Sequence, residues 1–378
     1  MRWAHLGSSS GARAAAPAAL LLALAGCAPP PSTRGSPAAA TLTGARCTPA
    51  DRRQALDAFV TENRARYAAA ITRARAFLDP LDVDPQKLRA VHIKGKKKLV
   101  EALDAYYRLY QIAPAAGGAR PALLTRVKAL AQATEDDRYH DMLTLGDREF
   151  KEDATSYLRA ALLLDRLGLD TTRYRKEIAA VKWRLDAHMR ERGPHQRRAF
   201  HAYYQHFGLA EPFPLQGALD QGFIAARADP EKLGRLDVYA FTHEIFAAYD
   251  FGERLDAGAF NDADRAYLRG ALPRLTAIWI EKRDPDLLAE LVSCLRYAGL
   301  TGDPAYVTGL GYLLDEQNQD GSWGSYETAR HRLGDHVKQG FYLHSTMVAV
   351  EALTLGFEDM FRKTEGPVCG GAATPPSR

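Results

Sequence analysis

Apolar residues recur at three- and four-residue spacing through most of the chain after its first fifty residues. Leu56, Phe59 and Val60 form one such group. This period places apolar side chains on one face of an α-helix. No alternating run of β-branched residues is long enough to predict a strand. The pattern therefore predicts an all-α domain over residues 49–365, followed by a C-terminal tail at 366–378.

Glycines end the predicted helices at a fairly regular interval. Gly168, Gly208, Gly299 and Gly356 each follow an apolar helical stretch and precede Leu or Phe, and Gly252 ends another stretch. Glycine adopts the left-handed conformation that closes a helix at little cost. The gaps between these residues are 40, 44, 47 and 57 positions, which suits one pair of helices with its loops. The sequence predicts repeated helical hairpins, each with an outer helix and a shorter, more apolar inner one.

The N-terminal segment has a different pattern. Arg2 and Arg13 are its charged residues, positions 14–25 are rich in Ala and Leu, and small residues lead into Cys27. An apolar run of about a dozen residues is too short to span a bilayer stably. Residues 1–26 are therefore predicted to be a secretory signal peptide.

The sequence Leu24-Ala25-Gly26-Cys27 resembles the lipobox of bacterial lipoproteins. The resemblance implies that Cys27 receives a diacylglycerol and becomes the first mature residue, on a flexible Pro-, Ser- and Ala-rich tether at 27–48. It also implies the cell envelope, and the outer membrane in a Gram-negative host, because Ala rather than Asp follows the cysteine. A plain leader with a chance cysteine is the alternative.

Helical hairpins can stack into an open solenoid or close into a ring, the α/α toroid. Export would place Cys47 and Cys369 in an oxidising compartment, where a disulfide between them would join the two ends of the domain. That pairing and the apolar character of the inner helices favour an α/α toroid of about twelve helices. A tetratricopeptide-like solenoid, and unpaired thiols at the two cysteines, are the alternatives.

The charge balance bears on the choice of partner. The formal net charge of +4 falls to +2 when Arg2 and Arg13 leave with the leader, which has no acidic residue. So small a charge gives no electrostatic case for nucleic-acid binding. Lys94, Lys96, Lys97 and Lys98 precede an apolar stretch and are expected to form a solvated helix start, or alternatively to touch anionic lipid.

Residues 311–323, GYLLDEQNQDGSW, carry the sharpest local resemblance. With Gln317, Gly321 and Trp323 behind an aromatic and aliphatic stretch, they resemble the QW repeat of squalene and oxidosqualene cyclases. The resemblance implies a toroid and a structural role, in which the glutamine caps the next helix and the tryptophan stacks on it. The acidic DxDD proton donor of those cyclases is absent from the sequence, so triterpene cyclisation is not expected.

Residues 340–353, GFYLHSTMVAVEAL, resemble the helix of protein prenyltransferase β subunits that carries a zinc-binding histidine, and His344 holds the matching position. In that family an Asp and a Cys two residues apart complete the zinc ligands. This chain departs from the pattern, because Asp286, Glu290 and Cys294 are spaced by four and share one face of a helix.

A possible metal site also arises from the spacing alone. His243, Cys294 and His344 lie about fifty residues apart, on three successive inner helices that could face one cavity. Imidazole and thiolate bind zinc well, and three ligands leave a fourth position for water or substrate. Glu290 or Asp250 could orient a ligand or act as a catalytic base. The alternative is that these residues are core cysteine and hydrogen-bonded histidines.

Residues 192–208 concentrate basic and aromatic side chains. They could bind a phosphate, a sulfated or acidic sugar, or a lipid headgroup; a solvated basic helix face is the alternative. His201 and Tyr204 share a helix face and could form an acid–base pair similar to that of polysaccharide lyases, which often have toroids. The candidate substrate-binding residues are Arg192, His201, Trp323 and Tyr342.

The sequence leaves two functional classes open. In the first, a lipid-anchored envelope protein uses a toroid cavity as a metal-dependent enzyme, with zinc as the candidate cofactor, or as a small-molecule binder. In the second, a non-catalytic envelope protein binds a glycan or a protein partner. A polysaccharide-lyase-like enzyme is a further alternative.

Overall fold

We describe the fold from a computed structural model, which describes residues 49–84, 87, 95–113, 119–255, 258–324 and 340–362. Within these ranges the chain forms thirteen α-helices and two short 3-10 helices and has no strand. The prediction of an all-α domain is confirmed. Cys27, Cys47 and Cys369 lie outside the described residues, as do the leader, the tether and the tail. The lipid anchor and the disulfide therefore stay predictions.

The helices are numbered in chain order, and the two 3-10 helices are Pro230–Lys232 and Asp250–Gly252. The α-helices are α1 Pro49–Leu78, α2 Gly95–Ile112, α3 Ala119–Ala133, α4 Asp147–Arg166, α5 Thr172–Ala180, α6 Lys182–Arg190, α7 Pro194–Phe207, α8 Gln216–Leu219, α9 Arg235–Ala248, α10 Asp262–Glu281, α11 Pro285–Tyr297, α12 Pro304–Asp315 and α13 Gly340–Arg362.

Six helices, α2, α4, α7, α9, α11 and α13, contribute side chains to the wall of one cavity. In chain order each of them contacts the next, and α13 also contacts α2. The other long helices pack on the outside of these six. Helix α3 packs on α2, α10 and α12 pack on α11, and α1 packs on α13. The predicted division into inner and outer helices corresponds to helices that line the cavity and helices that do not. The prediction that the inner helices are shorter is wrong, because the lining helix α13 has 23 residues and the outer helix α12 has 12.

Pairs of contacts show that neighbouring lining helices run in the same direction. Lys96 and then Asp104 of α2 approach Asp153 and then Arg159 of α4. Likewise, Glu290 and then Tyr297 of α11 approach His344 and then Glu351 of α13. The cavity therefore has one end built from the N-terminal parts of the helices and one built from their C-terminal parts.

Four of the five predicted helix stops are confirmed. Gly168, Gly208, Gly252 and Gly299 have φ angles of 70°, 66°, 88° and 72°, so each occupies the left-handed region. The fifth prediction is wrong, because Gly356 lies inside α13. A Cβ atom there would come within 2.5 Å of Leu310, so this glycine serves the close packing of α12 against α13.

The segment that resembles a QW repeat includes the end of α12 and the loop after it, and it is hydrogen-bonded to α1. Trp323 is fully buried, and its indole N–H donates to the carbonyl oxygen of Leu313 at 2.7 Å. The side chain of Gln317 donates to the carbonyl oxygens of Ala70 at 2.9 Å and Gly321 at 3.0 Å. The segment has the expected structural role, but the glutamine bonds to α1 rather than capping the following helix.

The expectation of a solvated lysine cluster is wrong for two of its members. Lys96 and Lys98 are buried. Lys96 pairs with Asp141 and lies 3.5 Å from Asp153, and Lys98 lies 2.7 Å from Glu101. Burial of a charge requires such partners. Those of Lys96 lie 45 and more positions away, where the local sequence does not reveal them, whereas Glu101 lies one turn from Lys98 on the same helix.

No helix within the described residues has the length and apolar composition that a membrane span requires.

Candidate functional site

The cavity between the six helices has a volume of about 700 Å³, which is the usual size of a small-molecule site. Its wall mixes apolar and aromatic side chains with many ionisable ones. The ionisable and aromatic lining residues are Lys97, Glu101, Asp104, Asp147, Arg148, Lys151, Glu152, Arg159, Arg192, His195, Tyr203, Tyr239, His243, Phe246, Phe251, Glu290, His344 and Glu351.

The cavity opens at the N-terminal end of the lining helices. Asp147 and Arg148, at the start of α4, have side chains that are 93% and 76% exposed. At the other end, Arg159 and Tyr203 line the cavity but are buried. A ligand would enter past the starts of the helices, and we call this end the mouth and the opposite end the floor.

Two helices bring carboxyl groups around His344. Its Nδ1 lies 3.2 Å from Oε2 of Glu101 on α2, and its Nε2 lies 3.6 Å from Oδ1 of Asp286 and 3.9 Å from Oε1 of Glu290 on α11. Asp286 is itself paired with Arg235 at 2.8 Å. The imidazole therefore lies between acidic groups of two different helices.

These contacts give Glu101 and Glu290 different protonation states. Burial would lower the pKa of His344, but Glu101 outweighs it and raises this pKa to about 9. Burial would likewise raise the pKa of Glu101, but the charges of His344, Lys98 and Lys97 hold it well below its usual value. For Glu290, burial dominates and raises the pKa. The site thus holds an imidazolium, a carboxylate and a carboxyl group that favours the neutral form.

Glu290 has one oxygen bonded and one oxygen free. The residue is only 1% exposed, and Thr242 donates a hydrogen bond to its Oε2. Oε1 is buried and has no hydrogen-bond partner within the described residues. This oxygen lies 3.9 Å from Nε2 of His344. Because a buried oxygen without a hydrogen bond is costly, it can gain one from a ligand donor that enters beside it.

His243 lies beside Glu290 and is neutral. Its Nδ1 donates to the carbonyl oxygen of Tyr239 at 2.9 Å and lies 3.7 Å from Oε2 of Glu290. Burial, with the nearby His195 and Lys97, lowers the pKa of His243 to about 3. Since Nδ1 carries the hydrogen, Nε2 has a free lone pair and can accept a proton or a hydrogen bond.

An aromatic wall surrounds this imidazole. The ring of Tyr239 lies 3.9 Å from that of His243, Phe246 lies 5.4 Å from it, and His195 meets it edge-on at 6.2 Å between centroids. Burial lowers the pKa of His195 to about 4, so this second imidazole is also neutral. The wall can pack against an apolar or ring-shaped part of a ligand.

The floor of the cavity is a separate ion-pair network. Arg159 bonds Asp104 through two nitrogens at 2.7 and 3.0 Å and lies over the ring of Phe251 at 4.7 Å. Nearby, the hydroxyl of Tyr297 lies 3.2 Å from Oε1 of Glu351, and burial raises the pKa of Glu351 to about 7. The floor therefore supplies a second carboxyl group that titrates near neutrality.

Asp250 belongs to the turn behind this floor. Asp250 and Phe251 have φ angles of 49° and 54°, a conformation that costs energy for residues other than glycine. Arg108 donates to the carbonyl oxygen of Phe251 at 2.8 Å, and Arg166 bonds the Asp250 carboxylate at 2.6 Å. Asp250 therefore fixes the turn that presents the Phe251 ring and does not itself line the cavity.

The structure brings some of the predicted site residues together at the cavity and leaves others outside. Glu290, His243, His344 and Arg192 line it. The remaining predicted residues have structural partners elsewhere. His201 pairs with Glu211, Tyr204 donates to Asp186, and Tyr342 and Trp323 are buried in the core. The acid–base pair predicted from His201 and Tyr204 is therefore not part of the cavity.

The predicted zinc ligands are not assembled into a metal centre. No group of three or more His, Cys, Asp or Glu side chains could hold a metal ion in the part of the chain that the structure describes. The Cys294 thiol is buried against the carbonyl oxygen of Thr242 at 3.7 Å, and burial raises its pKa well above the usual value. Within the described residues, Cys294 is therefore a core residue, and His243 and His344 lie against other protein groups.

Sequence reasoning missed three cavity residues, namely Glu101, Tyr239 and Glu351, while His195 belongs to the basic segment 192–208 that it singled out. A signal was present for two of them, because Glu101 and Glu351 are acidic residues inside otherwise apolar stretches, LVEAL and AVEAL. An acidic residue on the apolar face of an inner helix needs a partner. That partner could not be named, since His344 lies 243 positions from Glu101.

A family model described as a domain of unknown function, DUF6895, matches residues 64–354. The chain belongs to the DUF6895 family. The matched DUF6895 segment begins within α1 and ends within α13, so it contains every residue of the cavity wall. No curated protein and no solved structure matches the chain.

Proposed function

We propose that this DUF6895 protein is a lipid-anchored protein of the cell envelope whose helical domain is an α/α toroid with an acid–base catalytic cavity. The lipobox-like segment ending at Cys27 supports the anchor and the location. Two observations support the toroid. The six lining helices contact one another in chain order, with α13 against α2, and they run in parallel around a common cavity.

The observation that carries the catalytic part is the state of Glu290. The residue lies in the cavity wall. Its Oε1 has no hydrogen-bond partner in the described ranges and lies 3.9 Å from Nε2 of His344, while Thr242 donates to the other oxygen. Because burial raises the pKa of this carboxyl group, it holds a proton that can lie on Oε1. A buried carboxylic acid with a free oxygen in a cavity is suited to general acid catalysis.

His243 orients the attacking group in the proposed reaction. Its Nε2 accepts a hydrogen bond from a bound hydroxyl group or water, while Glu290 gives its proton to the departing oxygen or nitrogen of the ligand. The carboxylate that forms on Glu290 is stabilised by the imidazolium of His344, 3.9 Å away. This carboxylate then takes the proton of the attacking hydroxyl group or water, which restores the acid.

The proposed function has a direct physical test. Carbon-13 NMR of glutamate-labelled protein would report the pKa of Glu290, assigned by loss of its signal in the Glu290→Gln variant. We expect titration clearly above the usual value of 4.5. Titration at or below 4.5 would reject Glu290 as the acid.

Activity gives a second test. The purified protein would be assayed with a panel of chromogenic glycosides and esters, together with Glu290→Gln and the control Glu316→Gln, whose side chain pairs with Arg283 away from the cavity. General acid catalysis contributes about a hundredfold or more to a rate. We expect Glu290→Gln to lose at least that factor and Glu316→Gln to keep its rate. Equal rates in the two variants would argue for a cavity that only binds.

A further inference from the structure

The mouth of the cavity contains one arginine whose hydrogen-bond partners are all uncharged. Arg192 lies between α6 and α7, and its Nε donates to Nε2 of His188 at 3.0 Å while its Nη2 donates to the carbonyl oxygen of Lys151 at 2.9 Å. Burial lowers the pKa of His188 to about 4, so this acceptor is a neutral imidazole. The guanidinium is held in place without neutralisation of its charge.

The other cationic residues of the wall have acidic partners. Lys97 lies 3.5 Å from Glu101 and Arg148 lies 3.4 Å from Glu152. The remaining pairs are Lys151 with Glu191 and Arg159 with Asp104. Arg192 is the exception, since it forms no ion pair with any carboxylate among the residues that the structure describes.

The surroundings of Arg192 favour an anion further. The first turns of α4 and α7 line this end of the cavity, and their peptide dipoles make it more positive. His195, three positions later on α7, lines the same part of the wall. A neutral imidazole can donate one hydrogen bond to a bound oxygen.

We infer that the ligand of the cavity carries an oxyanion, either a carboxylate, a sulfate or a phosphate, which Arg192 binds at the mouth. A guanidinium matches two oxygens of such a group with two parallel N–H donors. The rest of the ligand then extends along the aromatic wall of Tyr239 and Phe246. Only the statement that its reacting bond meets Glu290 rests on the proposed function.

The test uses the purified protein with four probes, namely D-glucuronate, inorganic sulfate, inorganic phosphate and uncharged D-glucose. The side-chain Nε–H signal of Arg192, assigned by its loss in Arg192→Gln, is followed by nitrogen-15 NMR while each probe is added to millimolar concentration. We expect at least one anion to shift this signal saturably and glucose to leave it unchanged. Comparison of glucuronate with the inorganic ions shows which oxyanion the site prefers.

Variants then locate the binding. Affinity for the strongest anion would be measured by calorimetry in Arg192→Gln and in Arg283→Gln, a control that removes an exposed arginine outside the cavity wall. Loss of a charge-assisted pair weakens binding about tenfold or more. We expect this loss in Arg192→Gln and less than about a threefold change in Arg283→Gln.

Three outcomes would overturn the inference. These are an Arg192 signal that responds to none of the three anions, a response to glucose equal to that to glucuronate, and equal affinity in Arg192→Gln and the unmodified protein. Each is independent of the proposed function, because the pKa of Glu290 is measured separately. A failure of Glu290 as an acid would leave the anion binding of Arg192 intact.

Discussion

The Nδ1 atom of His344 lies 3.2 Å from Oε2 of Glu101 and joins α13 to α2 across 243 positions of the chain. This contact links the last lining helix to the first and gives His344 a positive charge at neutral pH. The contact therefore stabilises the fold and also sets the charge of the site. The pH dependence of stability should reveal the contribution of this contact.

Replacement of His344 by Gln should flatten the pH dependence of stability in the alkaline range. Because Glu101 raises the pKa of His344 from 6.5 to about 9, the folded state binds this proton more tightly than the unfolded state. The resulting stability is fully present below pH 6.5 and is lost as the pH rises through about 9. A shift of this size corresponds to about 3 kcal/mol. Urea unfolding at several pH values between 6 and 10 would measure it.

The control for this experiment is His206→Gln. His206 lies 2.8 Å from Asp165 and is farther from the cavity. Because this variant keeps His344 and Glu101, we expect it to retain the loss of stability as the pH rises through about 9. If the His344→Gln curve is also parallel to that of the unmodified protein between pH 6 and 10, the contact with Glu101 does not raise the pKa of His344.

Glu290→Gln should be at least as stable as the unmodified protein above the raised pKa of Glu290. A raised folded-state pKa contributes stability below the usual value of 4.5, and this contribution is lost as the pH rises through the folded-state pKa. Glutamine cannot ionise, so the variant does not lose stability in this way as the pH rises. Its side-chain amide oxygen can still accept a hydrogen bond from Thr242. Thermal unfolding at pH 5 and pH 9 would compare the two proteins. A variant that is much less stable at pH 9 would show that the carboxylate of Glu290 is needed as a partner of His344.

Two glycine-to-alanine substitutions should change the free energy of unfolding in opposite directions. Gly321 has a φ of 89°, and a Cβ atom there would lie 2.2 Å from the carbonyl oxygen of Arg73, so Gly321→Ala should lower the free energy of unfolding by about 2 kcal/mol or more. Gly270 lies within α10 and a Cβ atom there meets nothing within 4 Å. Gly270→Ala should raise the same free energy by about 0.5–1 kcal/mol. Chemical denaturation would measure both, and a neutral Gly321→Ala would contradict the packing of α12 against α1.

The sequence was most informative where a local conformation decides the structure. A left-handed residue at the end of a helix needs little more than its neighbours, so Gly168, Gly208 and Gly299 could be recognised. Gly356 could not be distinguished from them, because glycine is required there by close packing against Leu310 on another helix. Spacing of about fifty residues placed His243 and His344 at one cavity.

Spacing could not give the depth or the direction of a side chain. Cys294 shares a helix face with Glu290 in a helical wheel, yet its thiol is buried against Thr242 while the Glu290 carboxyl group reaches the cavity. The partners of His344 could not be found either, because Glu101 enters the site only after the chain has folded. Charge pairing across the cavity is a property of the tertiary structure, which a single sequence does not display.

The anchor at Cys27 can be tested in a bacterial host fed a clickable fatty acid. Because only a thiol can take the diacylglycerol implied by the lipobox resemblance, Cys27→Ser should carry no label and should move from the membrane fraction to the soluble one. The matched control is Cys47→Ser, which removes a cysteine at the far end of the predicted tether and should keep both the label and the membrane association. Three acyl chains contribute about 0.8 kcal/mol for each buried methylene, so the change in fractionation should be nearly complete. A labelled Cys27→Ser protein would show that the lipid is attached elsewhere, and an unlabelled but membrane-bound one would show that the folded domain itself binds the envelope.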